Sequence, residues 1–155
     1  MLLMSQALRL MPRRCRVNLE LKATSKPREL IRRFVRCLRW TRAGARVLVS
    51  SFEWPLLERL RRAAPEVATA VLCHRRPWAA LREARRLGCV ALHPKATLVT
   101  AALVRDAHAA GLRVHVWTVD RPSRARALLR LRVEGIVTNV PARLRTLWSR
   151  ERFPR

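Results

Sequence analysis

Strand-like and helix-like patterns alternate along the 155 residues about six times, at roughly 25-residue spacing, which predicts an α/β fold on a parallel sheet. Parallel neighbours need a long connection, and a helix supplies it. No glycine-rich dinucleotide loop or phosphate loop follows any strand, which counts against an open doubly wound sheet. A closed (β/α)8 barrel typically takes ~250 residues, with ~200 near its lower limit. The class predicted is therefore an incomplete TIM (β/α)8 barrel, with about six of eight units.

Residues 17–22 (VNLELK) alternate, with Val17, Leu19 and Leu21 on one face and Asn18, Glu20 and Lys22 on the other. Leu30, Ile31, Phe34, Val35 and Leu38 then recur at helical spacing, with arginines filling the other positions. Residues 46–51 (RVLVSS) follow Gly44 and read as a buried strand. Pro55 suits a first helical turn, and Leu56, Leu57, Leu60 and Ala64 form its apolar stripe.

Residues 67–73 are the third strand, and a helix over 79–87 stops at Gly88. Residues 89–92 form a brief strand ending at His93-Pro94. A helix over 98–110 closes on Gly111 as a left-handed cap. Residues 113–119 (RVHVWTV) alternate cleanly, and Pro122 opens a helix carrying Leu128 and Leu129. Residues 135–138 (GIVT) are a short strand, and Pro141 opens the last helix. The domain is expected over 1–148, with a frayed tail over 149–155.

Composition bounds the function. The four cysteines form no Cys-x-x-Cys pair, which argues against a disulfide scaffold or a zinc ribbon. No apolar run approaches the roughly 18 residues of a membrane span, and the first ten residues make a poor secretory signal, so a cytoplasmic location is expected. The charge is +24, and only Lys22, Lys26 and Lys95 of the 34 basic residues are lysine. That excess has two readings: a polyanion partner, nucleic acid or anionic lipid, or a solvated surface from arginine-rich codon usage.

Chemistry in parallel α/β folds collects at the C-terminal ends of strands. Those ends carry Glu20 and Lys22, Ser51 and Phe52, Cys73 and His74, His93, Trp117 with Asp120, and Thr138 with Asn139. Glu20 and Lys22, spaced by two, share one face of a strand. A carboxylate there suits a hard cation and the ammonium a phosphate oxygen; a structural salt bridge is the other reading. Of the histidines, His93 before Pro94 is the one placed to line a mouth.

Five segments in order then resemble the glycerophosphodiester phosphodiesterase family: VNLELK at 17–22, SSF at 50–52, LHP at 92–94, AHAAGLRVHVWTVD at 107–120 and EGIVTNVP at 134–141. They match its C-terminal two-thirds. The resemblance implies a TIM barrel that hydrolyses glycerophosphodiesters to glycerol 3-phosphate and an alcohol with a divalent metal, magnesium or calcium. By the same resemblance Glu20 is one metal-binding carboxylate, Lys22 contacts phosphate, and Phe52 and Trp117 wall the glycerol. Two positions depart from the pattern, with Asp120 where Asn is usual and Asn139 where Asp is usual.

The family's His-Arg-Gly, Glu-Asn-Thr, Glu-x-Asp and His-Asp segments, which hold both catalytic histidines, have no counterpart in the sequence. The expectation is a truncated chain with feeble activity at most, or one half of an assembly with a complementing chain. The alternative is an arginine-rich binding module for nucleic acid or anionic lipid.

Overall fold

A computed structural model describes residues 3–152, with side-chain burial defined through Leu147. The chain begins with α1 (Met4–Leu10) and β1 (Val17–Leu21), then α2 (Pro27–Thr41), β2 (Val47–Ser51), α3 (Trp54–Ala63), β3 (Ala68–Cys73) and α4 (Pro77–Arg86). There follow β4 (Ala91–Pro94), α5 (Ala101–Ala109), β5 (Arg113–Val116), α6 (Pro122–Arg130), β6 (Gly135–Ile136) and α7 (Pro141–Arg152). Proline occupies the first turn of α2, α3, α4 and α6, where its missing N–H leaves no intrahelical bond unmade. Residues 153–155 of the expected tail lie outside the described residues.

All six strands pair in parallel, in the order β1-β2-β3-β4-β5-β6, and the sheet curls into a half-barrel. Chain order and spatial order coincide because each crossover returns the next strand beside the last, the right-handed rule for a twisted sheet. The incomplete barrel expected from the sequence is the architecture found.

Several boundaries differ from expectation. β4 starts at Ala91, two residues late, and runs through His93 to Pro94. Its register with β3 explains this, because Ala91 faces Ala70 and His93 faces Leu72. Residues 96–98 are a 3-10 turn, and α5 starts only after Thr100, whose Oγ1 accepts from the Leu103 backbone N–H at 3.2 Å. β5 and β6 are shorter than their apolar runs, and beyond them Val119 N–H donates to the Val137 carbonyl at 2.9 Å.

The register sorts every strand residue onto one of two faces. Val17, Val49, Val71, Leu92, Val114 and Val116 face the helix layer, and all are buried. Against them pack Phe34 and Leu38 of α2, Leu57 and Leu60 of α3, Leu81 of α4 and Leu103 of α5. Asn18, Glu20, Leu48, Ser50, Ala70, Leu72, His93 and His115 face the concave side. There a Cβ on Gly135 would lie 2.7 Å from His115 Cδ2, so the imidazole uses the space glycine leaves.

Leu60 is completely buried at the centre of the helix–sheet interface. Leu60→Ala is therefore expected to lower unfolding stability by about 3 kcal/mol, the transfer free energy plus a residual cavity. Urea titration of the two chains checks this, and a loss below ~1 kcal/mol would show that the interface collapses to fill the space.

Candidate active site

The concave face ends in two tiers of side chains at the C-terminal edge of the sheet. The lower tier holds Glu20, Ser50, Leu72, His93 and His115, one from each of β1 to β5. Just past the strand ends stand Lys22, Phe52, His74, Lys95 and Trp117; Lys95 and Trp117 still pair in parallel, and Phe52 meets both His74 and Trp117.

Lys22 Nζ donates to Glu20 Oε1 at 2.6 Å. The lysine side chain is 76% exposed and the glutamate 31%, so the pair forms a rim and not a buried salt bridge. In such exposure the pair adds little stability, and the ammonium remains free to meet an incoming anion.

The same edge of the sheet carries an aromatic group. The Phe52 and Trp117 rings meet edge-on, with centroids 5.5 Å apart, and Phe52 meets His74 in the same manner at 5.4 Å. Trp117 is fixed by its own N–H, which donates to the His93 carbonyl at 2.8 Å. Beside them a cleft of about 350 Å³ opens between the ends of β2 and β3, lined in part by Phe52, Trp54, His74 and Arg76.

His93 lies beneath the mouth rather than in it. It is 2% exposed, its ring centroid is 4.8 Å from that of His115, and its Nε2 has no hydrogen-bond partner. Burial, and then the neighbouring His115, lowers its pKa to about 3, so the imidazole is neutral at pH 7. Ser50 Oγ in the same tier is likewise buried without a partner. Burial also pushes the Cys73 thiol up to about 12, which leaves it protonated and inert.

Asp120 and Asn139, the two departures from the family pattern, turn out to be partners. Asp120 Oδ1 accepts from the Asn139 backbone N–H at 2.8 Å and from Thr138 Oγ1 at 2.9 Å. Asp120 Oδ2 accepts from Asn139 Nδ2 at 3.0 Å. These bonds, Asn139 first, hold the Asp120 carboxyl below its ordinary range. Together they tie the loop after β5 to the loop after β6.

Sequence reasoning placed His74 at a strand end and passed over Lys95. The signal for Lys95 was the strand register, since it stands two residues beyond an inward-facing position. A metal is a separate question. Among the described residues no three His, Cys, Asp or Glu side chains are grouped to hold an ion. Glu20 supplies one carboxylate, with Lys22 already on one of its oxygens. A hard cation such as calcium takes about six to eight oxygen ligands, so these residues alone do not fit one. Among the described residues no helix is long and apolar enough to cross a membrane.

The pattern of the glycerophosphoryl diester phosphodiesterase family matches residues 16–143. A Mycobacterium tuberculosis protein named "probable glycerophosphodiester phosphodiesterase 2" is 34% identical, over 80% of this chain and 51% of its own length. The crystal structure of a Silicibacter pomeroyi protein described under the same family name superposes with a TM-score of 0.79 at 29% identity, covering 85% of this chain and 49% of that one. An Oleispira antarctica phosphodiesterase, solved with its product sn-glycerol-3-phosphate, has a TM-score of 0.75 at 25% identity, over 84% of this chain and 54% of its own. The chain thus spans about half the length of the relatives it matches.

Proposed function

Because the chain belongs to the glycerophosphoryl diester phosphodiesterase family, we propose that its concave rim is the phosphate- and glycerol-binding part of a phosphodiesterase barrel. Lys22 meets the phosphate, while Phe52 and Trp117 flank the glycerol carbons. The observation that carries this reading is that the exposed Lys22 ammonium and the Phe52–Trp117 edge contact stand at the same C-terminal edge of the sheet.

Hydrolysis of a phosphodiester needs more than binding. A water must be activated, the leaving alcohol protonated and the developing charge neutralised. Lys22 serves the last of these. The histidines near it do not serve the first two: His93 is buried and neutral, and His74 rests edge-on against Phe52. The reading is therefore that these 155 residues bind a glycerophosphate group and do not turn the diester over by themselves. The described residues offer the divalent metal implied by family membership one carboxylate, too few oxygens to hold it.

The test compares the 155-residue chain with a chimera that places the N-terminal half of the Mycobacterium tuberculosis relative before Arg16. With glycerophosphodiester and magnesium or calcium, the chimera is expected to release glycerol 3-phosphate and the chain alone at least ~1,000-fold less, since the acid–base pair contributes typically 10²–10⁴-fold. Equal turnover by the chain alone refutes the division of labour. A chimera that folds but neither binds glycerol 3-phosphate nor hydrolyses the diester refutes the site.

A further inference from the structure

The helix layer carries a second basic feature, on the opposite face of the sheet from Lys22. Between α2 and α3 runs an open groove of about 670 Å³, lined by Arg28, Arg32, Arg36 and Arg39 of α2 and Arg59 and Arg62 of α3. All six are exposed. Carboxylates nearby do little to neutralise them. Glu29 pairs with Arg33 at 2.5 Å, while Glu58 takes Arg62 at 3.0 Å and Arg86 at 3.4 Å. Arg28, Arg32, Arg36, Arg39 and Arg59 have no ion pair among the described residues.

We propose that this groove binds the phosphate backbone of a single-stranded nucleic acid without reading its sequence. Arg28, Arg32 and Arg36 recur every fourth residue, so they form a row rising about 6 Å per step, and the row to Arg39 covers about 16 Å of helix axis. A linear string of phosphates is the anion that matches a row. Guanidinium forks grip phosphate oxygens in pairs, and five of them carry no competing carboxylate. No aromatic side chain lines the groove, so bases have nothing to stack on and nothing to be told apart by.

The shape selects among polyanions. A bilayer presents a plane, and it is held by exposed apolar side chains that enter its acyl region. Here the charges line a recess, and its larger apolar residues, Ile31 and Val35, are buried. A duplex is too broad to lie between two adjacent helices, whereas one strand follows the groove. Grooves between consecutive outer helices persist when a barrel is completed, because added strands join at the edges β1 and β6.

The experiment is fluorescence anisotropy of a labelled, mixed-sequence 20-nucleotide DNA strand with the full chain at 50, 100 and 200 mM potassium chloride. Contact with about five phosphates predicts a log–log salt slope of about −3.5, an affinity loss of roughly 100-fold across that range. The variant Arg28→Gln/Arg32→Gln/Arg36→Gln should lose about two units of slope and at least ~10-fold in affinity, while the matching lysine variant keeps the slope. Arg82→Gln/Arg126→Gln/Arg130→Gln removes the same charge from α4 and α6, and it should weaken binding less than ~3-fold.

Equal weakening by both glutamine variants overturns the groove in favour of diffuse charge. Absence of binding at 50 mM salt overturns the proposal outright. So does tighter binding to vesicles of phosphatidylserine and phosphatidylcholine than to the strand, which would make the surface a membrane contact.

Discussion

Lowering the pH from 7 to 5 is expected to cost this protein about 2 kcal/mol of folding stability through one side chain, His93. Its imidazole is 2% exposed, with Nε2 unpartnered and His115 alongside. The folded-state pKa is about 3 against an ordinary 6.5. Between those values the unfolded chain binds a proton that the folded chain refuses. The stability held above pH 6.5 is therefore lost as the pH falls toward 3, at up to about 1.4 kcal/mol per unit.

The window from pH 7 to 5 isolates this group from the carboxylates. Asp120 and Glu58 are held below their ordinary range, so what they contribute is lost only at more acid pH. Urea midpoints at pH 7, 6 and 5 measure the slope. His93→Leu removes the titrating ring and keeps the backbone carbonyl that receives the Trp117 N–H. Whatever its stability at pH 7, that variant should be nearly flat from 7 to 5. A slope unchanged by the substitution would move the effect to another group.

In the completed chimera, Lys22→Met is expected to lower kcat/KM about 100- to 1,000-fold, the usual cost of one group that stabilises transition-state charge in such a site. The ammonium is exposed and held at 2.6 Å by Glu20, so it reaches substrate without desolvation of a buried charge. Methionine keeps the stem and loses the charge. Lys22→Arg retains the charge in a broader fork and should recover part of the loss. Glu20→Gln removes the anchor and should move both kcat and the inhibition constant of glycerol 3-phosphate. Hydrolysis by Lys22→Met within ~3-fold of the parent would take phosphate binding away from this residue.

Asp120 and Asn139 show where sequence reading stops. Each looked like a separate departure, because the residues are 19 positions apart. Their hydrogen bonds make them partners, and only the proximity of the two loops reveals it. Lys95 was hidden for the same reason: it stands in no motif, yet its parallel bridge to Trp117 carries it to the mouth. β4 itself was misplaced because residues 89–94 are almost continuously apolar, and periodicity gives such a run no phase.

The sequence by itself determined the alternation of strands and helices, the parallel sheet, its six or so units and the shared face of Glu20 and Lys22. These depend on the period of apolar residues and on i to i+2 geometry, which are local and survive translation into structure unchanged. The tertiary structure alone decided that His93 is buried beside His115, that Phe52 closes on both Trp117 and His74, and that the arginines of α2 and α3 face a common groove. Those are contacts between distant parts of the chain, set by strand register and helix packing. A period of two or of 3.6 says which face a residue occupies, and packing says what that face meets.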